Sequence, residues 1–512
     1  MRQSLASPLG WAVLAALAGS CRSPEPSPRT RLVVSLPVPP DIPPPLLSTS
    51  EATNTVFRHA YEPLTELSPD LRVTPCLAES WYSPDDRTWV FRLRHGVRRH
   101  DGRRLEARDA AEQLRRFFDP AARRSEAAGL EVTSVEAPDG ETLVLRTTAP
   151  AGWLPNYLAY VLLRFERERP GLPPVGTGPY VFRGQEPDGR IILDSFPGYR
   201  DGKPAIDRVE FRVIPDLQRA LSLLRSGEVH VVLDVPAAEW AEVTREATLQ
   251  TAVRPGLRVM YLGFNTLAVN DGRPSPVRDS RLRRAIAESV DRRAIINGVL
   301  KGLAEPIGDF VPPEVFGHAP GLEAAPAFDR EDARRRLAET GGPPRPLRFA
   351  YPPHQDAPAV AARVAADLHG VGLDIVTRPA PGFGPRAGPP GEPEPDLYLM
   401  GWSNSTGDAA LGYYALAHTP EGQGDGSLSG YSSPVVDRLL AQAAAAPSQA
   451  ARQRALGRVA EALAADVVLV PLYRFLDRYA FAAGLEFAPR MDRRIRAQDV
   501  RWTSPPPGAR LP

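Results

Sequence analysis

The chain has 512 residues, 43% of them hydrophobic, enough to bury a large core and long enough for two or more domains. Lys+Arg number 62 against 61 for Asp+Glu, so net charge offers no field for nucleic acid or an anionic membrane surface. There are only two cysteines, Cys21 and Cys76; with the first in a leader segment, no internal disulfide is expected and the fold must stand on its core. Lysine occurs only at Lys203 and Lys301, which reads as the mark of a GC-rich coding sequence rather than of a site.

The N-terminus comes first. Arg2 and an apolar stretch over residues 9–17 read as a signal peptide, well short of the ~20 residues that span a bilayer. Ala18, Gly19 and Ser20 then precede Cys21. That run resembles the lipobox of bacterial lipoproteins, whose cysteine is diacylated and becomes the new N-terminus, although Leu17 stands one place earlier than the usual leucine. Residues 22–29 alternate proline, serine and charge as a disordered tether does.

Further on, residues 31–37 predict a buried first strand ended by prolines. Residues 88–94 alternate apolar with polar and predict a half-exposed strand. Gly96 and Asp101-Gly102 supply turns, and Ala107, Ala110, Ala111, Leu114, Phe117 and Phe118 then recur at helical spacing. Helices are expected from Ser280, after the cap Asp291, and after the cap Asp329 up to Gly341. Strands are expected at 347–351, 373–376 and 397–400, a helix at 359–368, and another opened by Ser433-Pro434. A Pro/Gly-rich loop covers 379–395. This alternation predicts α/β lobes with sheets covered on both faces.

Several landmarks follow one another in order: Tyr61-Glu62-Pro63-Leu64, Pro75-Cys76-Leu77-Ala78-Glu79-Ser80-Trp81, Phe91-Arg92-Leu93-Arg94-His95-Gly96-Val97, His100-Asp101-Gly102, Gly176-Thr177-Gly178-Pro179-Tyr180, Gly263-Phe264-Asn265-Thr266, Gly401-Trp402, Tyr431-Ser432 and Pro471-Leu472-Tyr473. Together they resemble the solute-binding proteins of bacterial dipeptide, oligopeptide and nickel importers, over roughly residues 31–480. The resemblance implies an α/β, two-lobed periplasmic binding protein fold of the Venus-flytrap type II, with an extra subdomain in the first lobe. The expected divisions are a signal peptide at 1–20, a lipidated tether at 21–30 and lobe I at 31–260, with its inserted subdomain at about 51–171. Lobe II is expected at 261–470, and 471–512 returns to lobe I. The implied function is capture of a peptide or peptide-like solute by a monomer held at the membrane by lipid on Cys21, in the periplasm or at the cell surface. An ABC permease is the partner, and no nucleic acid, cofactor or metal is implied. A nickel chelate, haem, an oligosaccharide or an opine as cargo, or a role as solute sensor, stays open.

In peptide-binding members the segment after the Gly-Trp strand supplies main-chain partners and an aspartate for the ligand's α-amine. Here that segment holds Gly401, Trp402, Ser403, Asn404, Ser405, Thr406, Gly407 and Asp408, with Ser405 in the aspartate's slot. A serine offers a dipole and not the counter-charge a desolvated ammonium needs. Asp408, three positions on, could substitute or could cap the following turn. Gly401, Trp402, Ser403, Ser405, Asp408, Tyr431 and Asn265 are the expected ligand contacts. Catalytic patterns fail: the Gly176 loop lacks the third glycine of a dinucleotide site, and residues 401–405 fall one glycine short of a nucleophile elbow. His95 and His100 lie in segments that the resemblance makes structural.

Overall fold

A computed structural model describes residues 30–42, 50–119, 130–165, 174–270, 272–322, 327–353, 356–380, 392–419, 429–446 and 448–504. Cys21 and the leader lie outside them.

The frame is an 11-stranded mixed sheet. At one end Arg31–Leu36 pairs in parallel with Arg208–Val213 and with Val231–Leu233, while Ile191–Ser195 and Tyr180–Gln185 add antiparallel neighbours. At the other end Leu347–Tyr351 pairs in parallel with Ile375–Pro379 and Leu397–Ser403. Two long antiparallel strands, Leu249–Phe264 and Leu469–Ala482, join the ends. Each contributes to two cores. Tyr479 and Phe481 pack with Leu32, Val34 and Phe211, whereas Leu262, Phe264, Leu472 and Tyr473 pack with Leu347 and Phe349. Parallel strands buried on both faces read as the apolar runs seen here.

The two long strands are not continuous partners. Pairing runs from Leu249↔Ala482 to Pro255↔Leu476, breaks, and resumes at Val259↔Arg474. Pro255 has no N–H to give the ladder and Gly256 no side chain to hold it flat, the usual composition of a strand irregularity. The sheet therefore bends where it passes from one core to the other. These two strands were not anticipated from the sequence, because Pro255-Gly256 and the charges at Arg474, Asp477 and Arg478 interrupt their pattern.

A four-stranded antiparallel sheet, ordered Ala78–Tyr82, Thr88–Leu93, Thr142–Thr147, Val132–Glu136, carries the helix Ala107–Phe117 on its apolar face. Its core does not end within residues 64–175. Phe91, Leu114 and Tyr157 belong to one buried cluster with Tyr413, Leu440 and Leu456 of the helices that follow the Gly-Trp strand. Asn156 Nδ2 donates to the Thr406 carbonyl at 3.0 Å, and the Trp153 and Tyr414 rings lie 6.3 Å apart. Thus the extra sheet bridges to the far half of the chain.

The local expectations are realised closely. Asp329 accepts from the Glu331 and Asp332 amides, and Gly341 ends that helix in the left-handed region at φ 73°. Ser433 caps the helix Pro434–Ala444. The strand expected at 373–376 forms instead at Ile375–Pro379, because Leu347 pairs with Ile375 and carries the register from there. The Gly176 loop is structural: a Cβ on Gly176 would lie 1.8 Å from the Ala60 carbonyl oxygen, and one on Gly178 2.4 Å from that of His59. His100 braces the same loop, its Nε2 against the Gly178 carbonyl at 2.9 Å and its Nδ1 accepting from the Gly176 amide at 3.2 Å.

Candidate functional site

Where the long strands part, a pocket is lined by Asp234, Pro236, Arg258, Phe475, Leu476, Asp477 and Arg478. Its volume is about 10 Å3, room for about one water molecule. The Gly-Trp strand runs along its edge: Arg258 is paired with Ser403 and Val259 with Trp402. A Cβ on Gly401 would come within 3.2 Å of the Arg258 side chain and 3.8 Å of the Phe475 ring, so glycine there lets the two stack. The Arg258 guanidinium stands 3.8 Å over the centre of that ring, a cation–π arrangement. The Asn404 amide donates to the Leu257 carbonyl at 3.0 Å, which ties the end of the strand to the bend.

Charge is concentrated behind this pocket. Arg493 reaches both Asp234 oxygens at 2.6 Å, Glu51 at 2.6 Å and Asp477 at 3.3 Å. Arg478 bonds Asp356 at 3.0 Å. Both Asp234 and Arg493 are held in the left-handed backbone region at φ 58°. That conformation costs an ordinary residue on the order of 1 kcal/mol and persists where surrounding contacts enforce it. Burial works against the charge of Asp234, yet Arg493 holds its carboxyl below the ordinary range. For Asp477 burial prevails over Arg493, and its carboxyl is raised. Burial likewise opposes the charge on Arg493, but the surrounding carboxylates push its pKa well up.

The residues anticipated from the sequence divide into two groups. Gly401 and Ser403 lie beside the pocket's edge; Ser403 is exposed and Ser405 half-buried, its hydroxyl donating to the Ser403 carbonyl at 3.3 Å. Trp402, also half-buried, turns to the opposite face of its strand, its ring 5.9 Å from that of Phe310. Asp408, Asn265 and Tyr431 do other work. Of the two roles open to Asp408, the structure fills the cap: Oδ1 accepts from the Ala410 amide at 3.0 Å, and both oxygens bind Arg452, Oδ1 at 2.8 Å. At 3% exposure this carboxylate is enclosed, and its acceptor sites face the helix and Arg452. Asn265 braces a turn, its Oδ1 accepting from the Leu267 and Ala268 amides at 3.2 and 3.1 Å. It stands seven residues along the strand from Arg258, a distance of about 23 Å at strand rise. Tyr431 sits near that remote end, beside the Thr266–Ser429 backbone pairing, with its hydroxyl on Asp466.

Arg258, Asp477 and Asp234 were missed. The one signal available was two opposite charges, Asp477-Arg478, inside an otherwise apolar run ending Tyr479-Ala480-Phe481-Ala482.

Comparison with known proteins agrees with this architecture. The family model described as bacterial extracellular solute-binding proteins, family 5, middle region, matches residues 72–424. The chain is 27% identical over 421 residues to the probable di/tripeptide-binding protein 5 of Pseudomonas aeruginosa, covering 74% of this chain and 77% of that one. It is 27% identical over 381 residues to the dipeptide-binding protein of Escherichia coli, 66% of this chain and 68% of the other. Among solved structures it resembles the periplasmic binding protein DppA from Helicobacter pylori in complex with the peptide STSA. There the TM-score is 0.78 at 20% identity, over 93% of this chain and 99% of that chain.

Proposed function

Since the chain belongs to the bacterial extracellular solute-binding proteins of family 5, we propose that it captures a peptide or peptide-like solute between its two lobes and hands it to an ABC permease. The observation that carries this reading is the broken pairing at residues 255–259 and 474–476, with a polar pocket at the break. A bend confined to two strands lets two packed cores rotate as bodies, and a solute bridging them favours the closed arrangement by its differential contacts. The names of the two curated relatives, a probable di/tripeptide-binding protein and a dipeptide-binding protein, support a peptide as cargo. No bond need be made or broken.

Small-angle scattering of purified mature protein, stripped of solute by partial unfolding and refolded, tests the reading. Addition of a tripeptide mixture is expected to lower the radius of gyration. An unchanged radius at saturating solute, or cleavage of the added peptides, would refute it.

Retention at the membrane belongs to the same reading. Cys21 follows Ala18-Gly19-Ser20, and two acyl chains there suffice for stable anchoring. Cys21→Ala is expected to move the protein from the membrane to the soluble fraction on fractionation; continued sedimentation with membranes argues against the anchor.

A further inference from the structure

The chain is close to neutral overall, but its charge is unevenly spread: residues 92–108 hold seven arginines against two acids, Asp101 and Glu106. Part of this excess is engaged within the fold. Arg92 pairs with Glu79 and Glu141, Arg94 Nε donates to the Cys76 carbonyl at 2.6 Å, and the buried Arg99 holds Asp101 at 2.9 Å. The rest is at the surface. Arg98 and Arg104 face each other across an antiparallel bridge, and the turn between them closes through the Gly102 amide on the Arg99 carbonyl at 2.9 Å, with Gly102 in the left-handed region at φ 85°. Both arginines are exposed. Arg98 donates to the Gly102 carbonyl at 3.4 Å, and among the described residues neither stands in an ion pair, because the nearby carboxylates serve Arg99 and Arg108. Like charges opposite each other on one face repel, so an anion from outside is the complement this hairpin lacks.

The hairpin lies at the end of the sheet where the first strand starts. The Thr30 carbonyl accepts from the Asp207 amide at 2.6 Å, and the Asp207 carbonyl from the Ser195 amide at 2.7 Å. Arg31, Arg208 and Asp194 stand on three adjacent strands, about 10 Å from first to third. The Phe196 ring then meets that of His100, in the turn of the hairpin, at 5.0 Å. The acids at this end are paired, Asp207 with Lys203 at 2.6 Å and Asp201 with Arg200 at 3.5 Å. Nine peptide steps separate Cys21 from Thr30, a span of at most about 30 Å. An acyl group on Cys21 therefore keeps this end of the molecule, hairpin included, next to the bilayer.

We propose that the hairpin around Arg98 and Arg104 is a contact for the headgroups of anionic phospholipid and orients the tethered protein on its membrane. The contact goes beyond solute capture, and it rests on the membrane retention proposed above only for where the bilayer stands. A guanidinium offers phosphate oxygens two parallel N–H donors. Each arginine near an anionic leaflet strengthens binding severalfold, and the attraction fades within a Debye length, about 8 Å at physiological salt. Two arginines therefore orient the body without holding it, and retention still depends on Cys21.

Vesicle flotation of the purified Cys21→Ala protein, which carries no acyl chain, tests the contact at low ionic strength. The protein is expected to bind mixed phosphatidylglycerol and phosphatidylcholine vesicles about tenfold better than pure phosphatidylcholine vesicles, and to lose that preference in raised salt. Adding Arg98→Gln/Arg104→Gln is expected to abolish it. Adding Arg334→Gln/Arg335→Gln removes as much charge from exposed positions on the helix Arg330–Thr340, which packs on the other core, and is expected to leave it intact. No preference for the anionic vesicles, or an equal loss in both double variants, overturns the contact. Binding of heparin through Arg98 and Arg104 with none to vesicles also overturns it and assigns the hairpin to a soluble polyanion. Solute capture and the lipid anchor stand or fall separately, by the scattering and fractionation experiments above.

Discussion

Replacing Arg452 by methionine is expected to destabilise the fold by about 3–5 kcal/mol, the cost of leaving a buried carboxylate without its partner. Asp408 is 3% and Arg452 6% exposed, and the two are joined by two hydrogen bonds. The guanidinium also lies 5.1 Å from the centre of the Phe316 ring, so its packing is lost as well. The double substitution Asp408→Asn/Arg452→Met is expected to recover part of the loss, because no uncompensated charge then remains. Urea unfolding read by linear extrapolation gives both numbers. A loss below about 1 kcal/mol in Arg452→Met would mean that Asp408 reaches water or another cation, and would return it to the list of ligand groups.

The second large effect is in pH. His59 and His230 are 2% and 4% exposed, and each accepts a backbone amide: His59 Nε2 from Ala497 at 3.2 Å, His230 Nδ1 from Val33 at 3.0 Å. A protonated ring cannot accept these bonds, and burial lowers both pKa values to about 4 from the ordinary ~6.5. In the unfolded chain the rings bind protons near pH 6.5, in the folded chain only near 4, so stability rises with pH across that window. It is fully present above about 6.5 and lost as pH falls towards 4, by about 3 kcal/mol for each histidine. His59→Gln is expected to be less stable than wild type at pH 7.5 yet to lose less between pH 6.5 and 4.5. Equal losses for variant and wild type would show that His59 is already protonated or exposed in the fold.

Both predictions concern contacts that span long stretches of chain, and this marks how far the sequence could be read. Its local signals held. Asp329 with Gly341, and Ser433 with Pro434, delimit helices because a cap needs only residues within one turn of itself. The turn glycines and the ordered landmarks were equally legible, and they sufficed for the family and its two-lobed α/β architecture. Residues 249–264 and 469–482 did not read as strands, since a bend needs proline, glycine and charge where a strand pattern asks for alternation.

The partners of the charged side chains were decided only by the tertiary structure. Asp408 carried one appearance in sequence for two roles; its cap on the Ala410 amide and its pair with Arg452, 44 residues on, are visible only in the fold. Asn265 follows a family landmark, but the long strand carries it away from the bend. Asp477 and Asp234 share Arg493 only because the chain brings Arg493 back beside Asp234 across 259 residues. Periodicity and capping are short-range and are written in neighbouring residues. Charge pairing and desolvation depend on which distant surfaces the sheet brings together, and no local pattern encodes that.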